Sequence, residues 1–406
     1  PQGYKGVQGY KGATGNQGAQ GSQGVQGTKG FTGFNGDQGY VGPTGPTGYT
    51  GANGYKGITG DTGYQGATGP TAYVGYQGAK GPTGTQGATG YVGHQLALKL
   101  ASENYRVHAL VRDINSSKIP IHKNIMVFEG DLCDYDSILK AMRGCAYVFH
   151  TAAYTNLKCK SIDNFYNGNV VGTENILKAA LQYQVKKVIY TSTLSVFGPS
   201  FKEVPITESQ PRLTSFANDY ELTKSMSEEV VSDYVKKGLS CIILNLTRVY
   251  GPGLNTYSNG LNKIILKIAK NDFLIVPSKL NIRSNYVYIN DALNAHILAM
   301  HSGKSGEKYI IGGENISYLE LFDKIKTQTK SKIRILKINY DLLKRGILMI
   351  SGIDSFLKFG FALTPKVLDS LFTNRSASSY KAESQLHYKI TPFQIGLSYT
   401  INFLTK

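Results

Sequence analysis

Tyr220 and Lys224 stand four residues apart in Asp219-Tyr220-Glu221-Leu222-Thr223-Lys224. On a helix that spacing puts both side chains on one face. An ammonium beside a phenol lowers the phenol pKa and makes tyrosinate accessible near neutral pH. Such a group can exchange a proton with a hydroxyl or a carbonyl. Alone the spacing says little, because the chain holds 28 tyrosines and many lysines. The second candidate is Gly87-Ala88-Thr89-Gly90-Tyr91-Val92-Gly93. Its glycines permit a tight turn and a close approach of backbone to a pyrophosphate. A helix opening there would add unpaired N–H groups and a positive dipole end.

These residues need a scaffold, and the pattern from Gly87 onward supplies one. Apolar periodicity predicts a helix over His94 to Asn104, with Leu96, Leu100 and Ala101 on one side. Strands are expected at Arg106 to Val111, Ile125 to Phe128, Ala146 to His150, Val188 to Thr191 and Cys241 to Leu246. Helices separate them near Tyr135 to Arg143, Asp163 to Tyr183 and Asp219 to Lys237. Alternating strands and helices imply an α/β fold with a doubly wound parallel sheet covered on both faces.

Ahead of this body the chain is of another kind. Glycine fills every third place from Gly3 to Gly93, with Ala72 as the one exception. Only glycine fits the crowded axis of a triple helix, so the frame marks a collagen-like segment. Its five prolines, Pro1, Pro43, Pro46, Pro70 and Pro82, all occupy the place after glycine, so a marginal triple helix is expected. Ala72 should be a weak point, because its methyl group crowds the axis. A rod of this length would reach roughly 280 Å. As a single chain the segment has almost no apolar surface to bury and would stay disordered. The expected domains are therefore 1–84, the repeat, and 85–406, the α/β body.

The α/β body resembles the extended short-chain dehydrogenase/reductases, in the NAD-dependent epimerase/dehydratase group. Within them it is most similar to the dihydroflavonol-reductase-like and 3β-hydroxysteroid-dehydrogenase-like branch. Gly87 to Gly93 matches the family's TGxxGxxG turn, with Gln86 in place of the threonine. The resemblance implies a Rossmann-type sheet with a small C-terminal substrate-binding portion. It implies a cofactor site at Gly87, Gly90, Tyr91, Val92, Gly93, Arg112, Asp131, Leu132, Ala152, Ala153, Tyr220 and Lys224. Arg112 matches a position that often meets the 2′-phosphate of NADP, and a guanidinium suits a phosphate. Asp113 beside it keeps NAD open, so NADP is favoured over NAD. The family's Tyr-x-x-x-Lys falls on Tyr220 and Lys224, with Lys224 also holding the nicotinamide ribose. The third catalytic member is a hydroxyl five residues before Gly198, which is Thr193, with Ser192 and Ser195 as alternates. Asn169 matches a structural asparagine. Thr247 to Gly253 resembles the family's YGPG segment, and Arg283 with Tyr288 to Asp291 resembles the part that closes over substrate.

The implied function is an NAD(P)-dependent oxidoreductase that reduces a carbonyl or oxidises a secondary alcohol. Two alternatives stand beside it. One is a trimeric collagen-like fibre capped by an inactive enzyme-derived domain. The other is a sugar-nucleotide epimerase or dehydratase. Association is expected as a trimer through the repeat or a dimer through the enzyme body, with a small-molecule substrate.

One element of the family pattern is missing. An apolar strand should lead into the glycine turn and occupy the sheet's centre. That place holds Gly78-Ala79-Lys80-Gly81-Pro82-Thr83-Gly84-Thr85-Gln86, which has no apolar run. Pro82 cannot donate a ladder hydrogen bond. The word Gly-Ala-Thr-Gly recurs at 66–69 and 87–90, so the junction reads as a gene fusion within that shared word.

Other features exclude more than they assign. The formal charge is +17, but lysine and arginine are scattered, with no block of five. A dispersed basic surface of this kind does not call for nucleic acid. The four cysteines, Cys133, Cys145, Cys159 and Cys241, form no CxxC pair and no zinc spacing. A reduced, cytoplasmic setting without a metal site is expected. No apolar run is long enough to span a bilayer. The nearest, Ile347 to Leu363, is broken by Gly352, Asp354, Lys358 and Gly360 and reads as an amphipathic helix over the substrate cleft. Glu228-Glu229 reads as a solvated helix face.

Overall fold

The computed structural model describes residues 87–156, 161–201, 204–212, 216–256, 259–271, 274–357 and 365–405. The repeat ahead of Gly87, and with it the expected boundary at 84/85, lies outside the described residues.

Helix α1, Tyr91–Ser102, starts directly after the glycine turn and buries Leu96, Leu100 and Ala101, the expected inner face. Then follow β1 (Val107–Val111), β2 (Ile125–Glu129), α2 (Tyr135–Met142) and β3 (Tyr147–His150). Asp134 caps α2 by accepting the amides of Asp136 and Ser137. After β3 come α3 (Ile162–Phe165) and α4 (Gly172–Gln182), then β4 (Lys187–Thr193), α5 (Asp219–Lys236) and β5 (Cys241–Leu246). The C-terminal part supplies β6 (Arg248–Tyr250), α6 (Gly260–Ala269), β7 (Leu274–Pro277), β8 (Arg283–Tyr288) and α7 (Ile289–Ser302). It continues with β9 (Lys308–Ile311), β10 (Glu314–Ser317), α8 (Tyr318–Thr329), β11 (Ile335–Ile338) and α9 (Tyr340–Leu357). No helix among the described residues is long and apolar enough to cross a membrane.

The main sheet is parallel in the order β9-β5-β4-β3. Strands β1 and β2 form a separate parallel pair. Two smaller sheets, β10-β8-β6 and β11-β7, belong to the C-terminal part. This is the expected α/β arrangement of Rossmann type, divided at its middle. No described residue pairs with the outer edge of β1 or of β3. A cavity of about 550 Å³ lies between them, lined by both strands and by side chains of α1, α2, α4 and α7. Burial records the gap. All six residues of β5 are buried, whereas in β3 only His150 is. Residues 78–86, where the sequence lacks the expected apolar strand, lie outside the described residues.

The expected helix over 163–183 is interrupted by a π-helical turn, Tyr166–Val171. The carbonyl of Asn169 explains it, since it accepts the hydroxyls of Thr173 at 2.5 Å and Ser227 at 2.8 Å. Those side chains draw the carbonyl out of the regular ladder, a familiar setting for a π-bulge at a functional site. The Asn169 side chain is thereby turned inward. It accepts from the Tyr154 amide at 2.7 Å and donates to Thr223 Oγ1 at 3.0 Å.

Glu228 is not on a solvated face. It is 1% exposed and pairs with Arg212, with Lys308 Nζ at 3.1 Å and with Asn245 Nδ2 at 2.6 Å. The partners come from the loop before α5, from β9 and from β5, so nothing on the helix itself announces them. Removing one member of a buried ion pair leaves its partners uncompensated. Glu228→Ala should therefore cost about 3 kcal/mol of stability, read as a lower urea midpoint. A midpoint within error of the parent would contradict this packing.

Candidate active site

The glycine turn closes through the Gly90 amide, which donates to the Gly87 carbonyl at 3.0 Å. Gly87 sits between the two sides of the slot. A side chain there would meet the Leu110 carbonyl of β1 at 3.4 Å and Ala152, just after β3, at 3.8 Å. A Cβ on Gly93 would overlap the Gly87 carbonyl oxygen, so only glycine allows the first turn of α1 to pack this closely. Gly90 is the N-cap and provides no side-chain cap. The first amides of α1 thus keep their capacity to bind an anion. This cradle fits the pyrophosphate of a dinucleotide.

Tyr91 offers only its backbone to such a ligand. Its side chain is 2% exposed, and its hydroxyl donates to the Gly251 carbonyl at 2.7 Å. Gln95 Nε2 donates to the Pro252 carbonyl at 3.0 Å. The YGPG-like segment therefore holds α1 from the C-terminal part. Val92 is partly buried against the core. Arg112 follows β1 directly, and Asp113 turns its carboxylate onto its own loop, accepting the Asn115 amide at 2.9 Å. Asp131 likewise accepts the Cys133 amide at 2.9 Å, and Leu132 is buried. Ala152 and Ala153 are buried at the end of β3. Arg112, Asp131, Leu132, Ala152 and Ala153 follow the C-terminal ends of parallel strands, where α/β sheets bind ligands.

The second half of the site is built on β4 and α5. Asn218 caps α5 by accepting the Glu221 amide at 3.0 Å, which puts Tyr220 and Lys224 on its first turns. Thr193 ends β4, and its hydroxyl acts to lower the Tyr220 phenol pKa. It also lies 3.2 Å from Ser195 Oγ. Ser192 precedes it on β4 and is 4% exposed. Lys224 is 2% exposed, donates to the Thr191 carbonyl at 2.8 Å and sits 4.2 Å from the centre of the Tyr190 ring.

The charge balance differs from the sequence expectation. Tyr220 is not lowered. Burial first, and then the neighbouring Glu221 carboxylate, push its phenol up to about 12, with the Thr193 hydrogen bond opposing them. Burial lowers the Lys224 pKa to about 7, and its ammonium donates to the Thr191 carbonyl. His150 is pushed down to about 3 by burial and by Lys224, and it stays neutral beside Thr173 at 2.9 Å. The site thus holds a protonated phenol, a neutral imidazole and a lysine poised near neutrality.

Sequence reasoning missed one functional contact. Arg375 Nη2 reaches Glu221 Oε2 at 3.0 Å, and Glu221 also accepts the Ala217 amide at 3.0 Å. The pair fixes the residue next to Tyr220 from a segment 154 residues away. Arg283, expected in the part closing over substrate, pairs with Glu320 at 3.3 Å. Of the expected substrate-lining segment Tyr154 to Asn164, residues 157–160 lie outside the described residues. Among the described residues no group of acidic, histidine or cysteine side chains is arranged to hold a metal.

Comparison with known proteins agrees with this geometry. The NAD dependent epimerase/dehydratase family model matches residues 86–312. The collagen triple helix repeat matches 1–57 and 39–96, so the two matches share 86–96. A putative dihydroflavonol 4-reductase of Synechocystis is 30% identical over 248 residues, covering 59% of this chain and 70% of that one. Short-chain dehydrogenase/reductase family 42E member 1 of Xenopus laevis is 30% identical over 240 residues, 55% of this chain and 59% of that protein. Among solved structures, gox2253 is similar with a TM-score of 0.66 and 28% identity, covering 78% of this chain and 96% of its own. The UDP-glucose 4-epimerase of Thermotoga maritima, solved with UDP-glucose, shares the fold with a TM-score of 0.66 at 20% identity, covering 79% and 97%.

The lysine makes stability depend on pH. Its folded pKa of about 7 lies below the ordinary lysine value of about 10.4. Between those values the unfolded chain binds the extra proton, so stability rises with pH across the window. Lys308, lowered to about 8, acts in the same direction. In Lys224→Met the rise in unfolding free energy from about pH 7 to about pH 9 should be shallower than in the parent. Equal slopes in urea titrations across that range would refute the assignment.

Proposed function

The chain belongs to the NAD dependent epimerase/dehydratase family, and from that membership we propose that it is an NADP-linked oxidoreductase acting on a carbonyl or a secondary alcohol. The observation that carries this reading is the Thr193–Tyr220 hydroxyl pair at the end of β4, with the buried Lys224 on the same helix face. When bound, the nicotinamide supplies or accepts a hydride at its C4. The protein's own part is proton handling and orientation. In reduction, the Tyr220 phenol donates its proton to the substrate carbonyl oxygen as the new C–H bond forms, and Thr193 helps polarise that oxygen. In oxidation the proton returns to Tyr220. The raised phenol pKa suits the donor role. Lys224 would hold the nicotinamide ribose, with Gly87, Gly90 and Gly93 at the pyrophosphate. The Tyr91 and Val92 amides would join them there. Asp131, Leu132, Ala152 and Ala153 would line the remainder.

Preference for NADP is supported by Arg112, which follows β1 while Asp113 is occupied by its own turn. The similarity to a putative dihydroflavonol 4-reductase supports net redox chemistry. The collagen-like repeat supports association into trimers, which solution mass measurement tests.

NADPH consumption with a panel of aldehydes, ketones, flavonoids and sterols is the direct assay. Net consumption supports the reductase reading, and turnover of a nucleotide sugar without net consumption would replace it by epimerase chemistry. Tyr220→Phe should lower kcat by about 100- to 10,000-fold while leaving NADPH fluorescence quenching intact. Arg112→Ala should weaken NADPH binding by about tenfold and leave NADH unchanged. Equal effects on both cofactors would remove Arg112 from the 2′-phosphate.

A further inference from the structure

Glu221 follows Tyr220 on the first turn of α5, and only 4% of its side chain is exposed. Successive helix residues point roughly 100° apart, so the two side chains leave the helix on different sides. The carboxylate nevertheless stays close to the phenol. A buried carboxylate without a counter-charge is costly, and an anion beside a phenol disfavours tyrosinate. Arg375 supplies the counter-charge. Its Nη2 lies 3.0 Å from Glu221 Oε2, and its side chain is 12% exposed. Its Nε is buried and bonds nothing among the described residues. The other bond partners of Glu221, Ser370 Oγ at 3.5 Å and the Ala217 amide at 3.0 Å, are uncharged.

Arg375 arrives there because segment 371–378 is stitched down on both sides. Towards β8, the Arg375 amide donates to the Arg283 carbonyl at 2.9 Å, and Asn374 Oδ1 accepts the Arg283 amide at 2.7 Å. Towards the stretch after β4, the Ser200 amide donates to the Asn374 carbonyl and the Ile206 amide to the Ser376 carbonyl, both at 2.9 Å. At its start, the Leu371 carbonyl accepts Arg248 Nη2 and the Tyr318 hydroxyl, both at 3.0 Å. The segment thus ties the C-terminal part to the catalytic half and reaches α5 through one charged side chain. We propose that Arg375 is a positioning residue for the reaction, which holds the Glu221 carboxylate and balances its charge beside Tyr220. This rests on the role given to Tyr220 above. The remaining groups that act on the set are Thr193 and Tyr190 of β4 at Tyr220, Lys224 on the same helix face, and Arg248 of β6 at Arg375.

Alcohol oxidation needs Tyr220 as tyrosinate, so its rise with pH reports the charge beside the phenol. Arg375→Gln leaves Glu221 uncompensated. It should move that rise to higher pH by about one unit, a tenfold loss of rate at a fixed pH below it. Glu221→Gln leaves the Arg375 charge alone and should move the rise to lower pH by a similar amount. The double variant lacks both charges and should return close to the parent. Arg375→Lys keeps the charge and should stay close to the parent profile. A purely structural role would lower kcat in these variants and leave the profile in place. An unshifted profile, or shifts of one sign in both single variants, would overturn the proposal. If Arg375→Gln does not fold, Glu221→Gln and the double variant still decide, since they differ only in the charge at 375.

A second measurement needs no turnover. The parent, Glu221→Gln and the double variant, isotope-labelled at tyrosine Cζ, are titrated by NMR, with Tyr220→Phe identifying the signal. Tyrosinate should form at lower pH in Glu221→Gln than in the other two. Equal midpoints in all three would sink the proposal whether or not an alcohol is oxidised. Absence of any NADP- or NAD-linked turnover counts against the oxidoreductase reading alone.

Discussion

A parallel sheet covered by helices on both faces has nowhere to leave an unpaired backbone edge. Each buried N–H or C=O without a partner costs about 1–3 kcal/mol. Among the cofactor-site candidates, Arg112, Ala152 and Ala153 follow β1 and β3, two strands whose facing edges have no partner among the described residues. Gly87 fits between Leu110 and Ala152 because those strand ends are where they are. The turn nevertheless keeps its form, and the reason lies on its other side. Helix α1 is held through Tyr91 and Gln95 to the Gly251-Pro252 segment, and its Leu96 and Leu100 belong to the core of the C-terminal part. The turn is thus fixed from its helix end.

The proton-handling half of the site rests on a different arrangement, and it lies on the intact side of the sheet. Strands β4 and β5 are paired on both edges, and Thr191 and Thr193 are held by the ladder with β5. Lys224 is kept in that dry environment by one carbonyl and one aromatic face, with no carboxylate bonded to it. Without a counter-charge, burial takes the ammonium close to neutrality. The same burial keeps the Tyr220 phenol protonated. Asn169 joins this half to the loop after β3, since one side chain bonds both Tyr154 and Thr223. The π turn that aims Asn169 is therefore part of how the two halves keep register.

Much of this was legible in the sequence, for local reasons. The strands and helices from α1 to β5 follow apolar periodicity, and their bounds differ from expectation by a few residues at most. Tyr220 and Lys224 share a face because a helix puts them there. The lack of an apolar run ahead of the glycine turn was legible because a collagen frame cannot be one. What escaped depends on partners distant in the chain. Glu228 looks like any helix-face carboxylate until Arg212, Lys308 and Asn245 close around it. Arg375 lies in a segment with no recognisable pattern, yet it anchors the residue beside Tyr220. The direction of the Tyr220 shift was misjudged because proximity to lysine was weighed and burial of both groups was not.

The overlap of the two family matches over 86–96 has a physical reading. A triple helix requires glycine at every third place and tolerates almost any other residue between. A central strand of a covered sheet requires the reverse, with side chains filling both faces at every place. No five-residue window of a Gly-X-Y frame can meet the second demand, because each contains at least one glycine. The glycine turn is the one element that satisfies both patterns, since its own geometry asks for glycine at 87, 90 and 93. A chain can therefore pass from one architecture to the other at this turn without a visible seam in sequence.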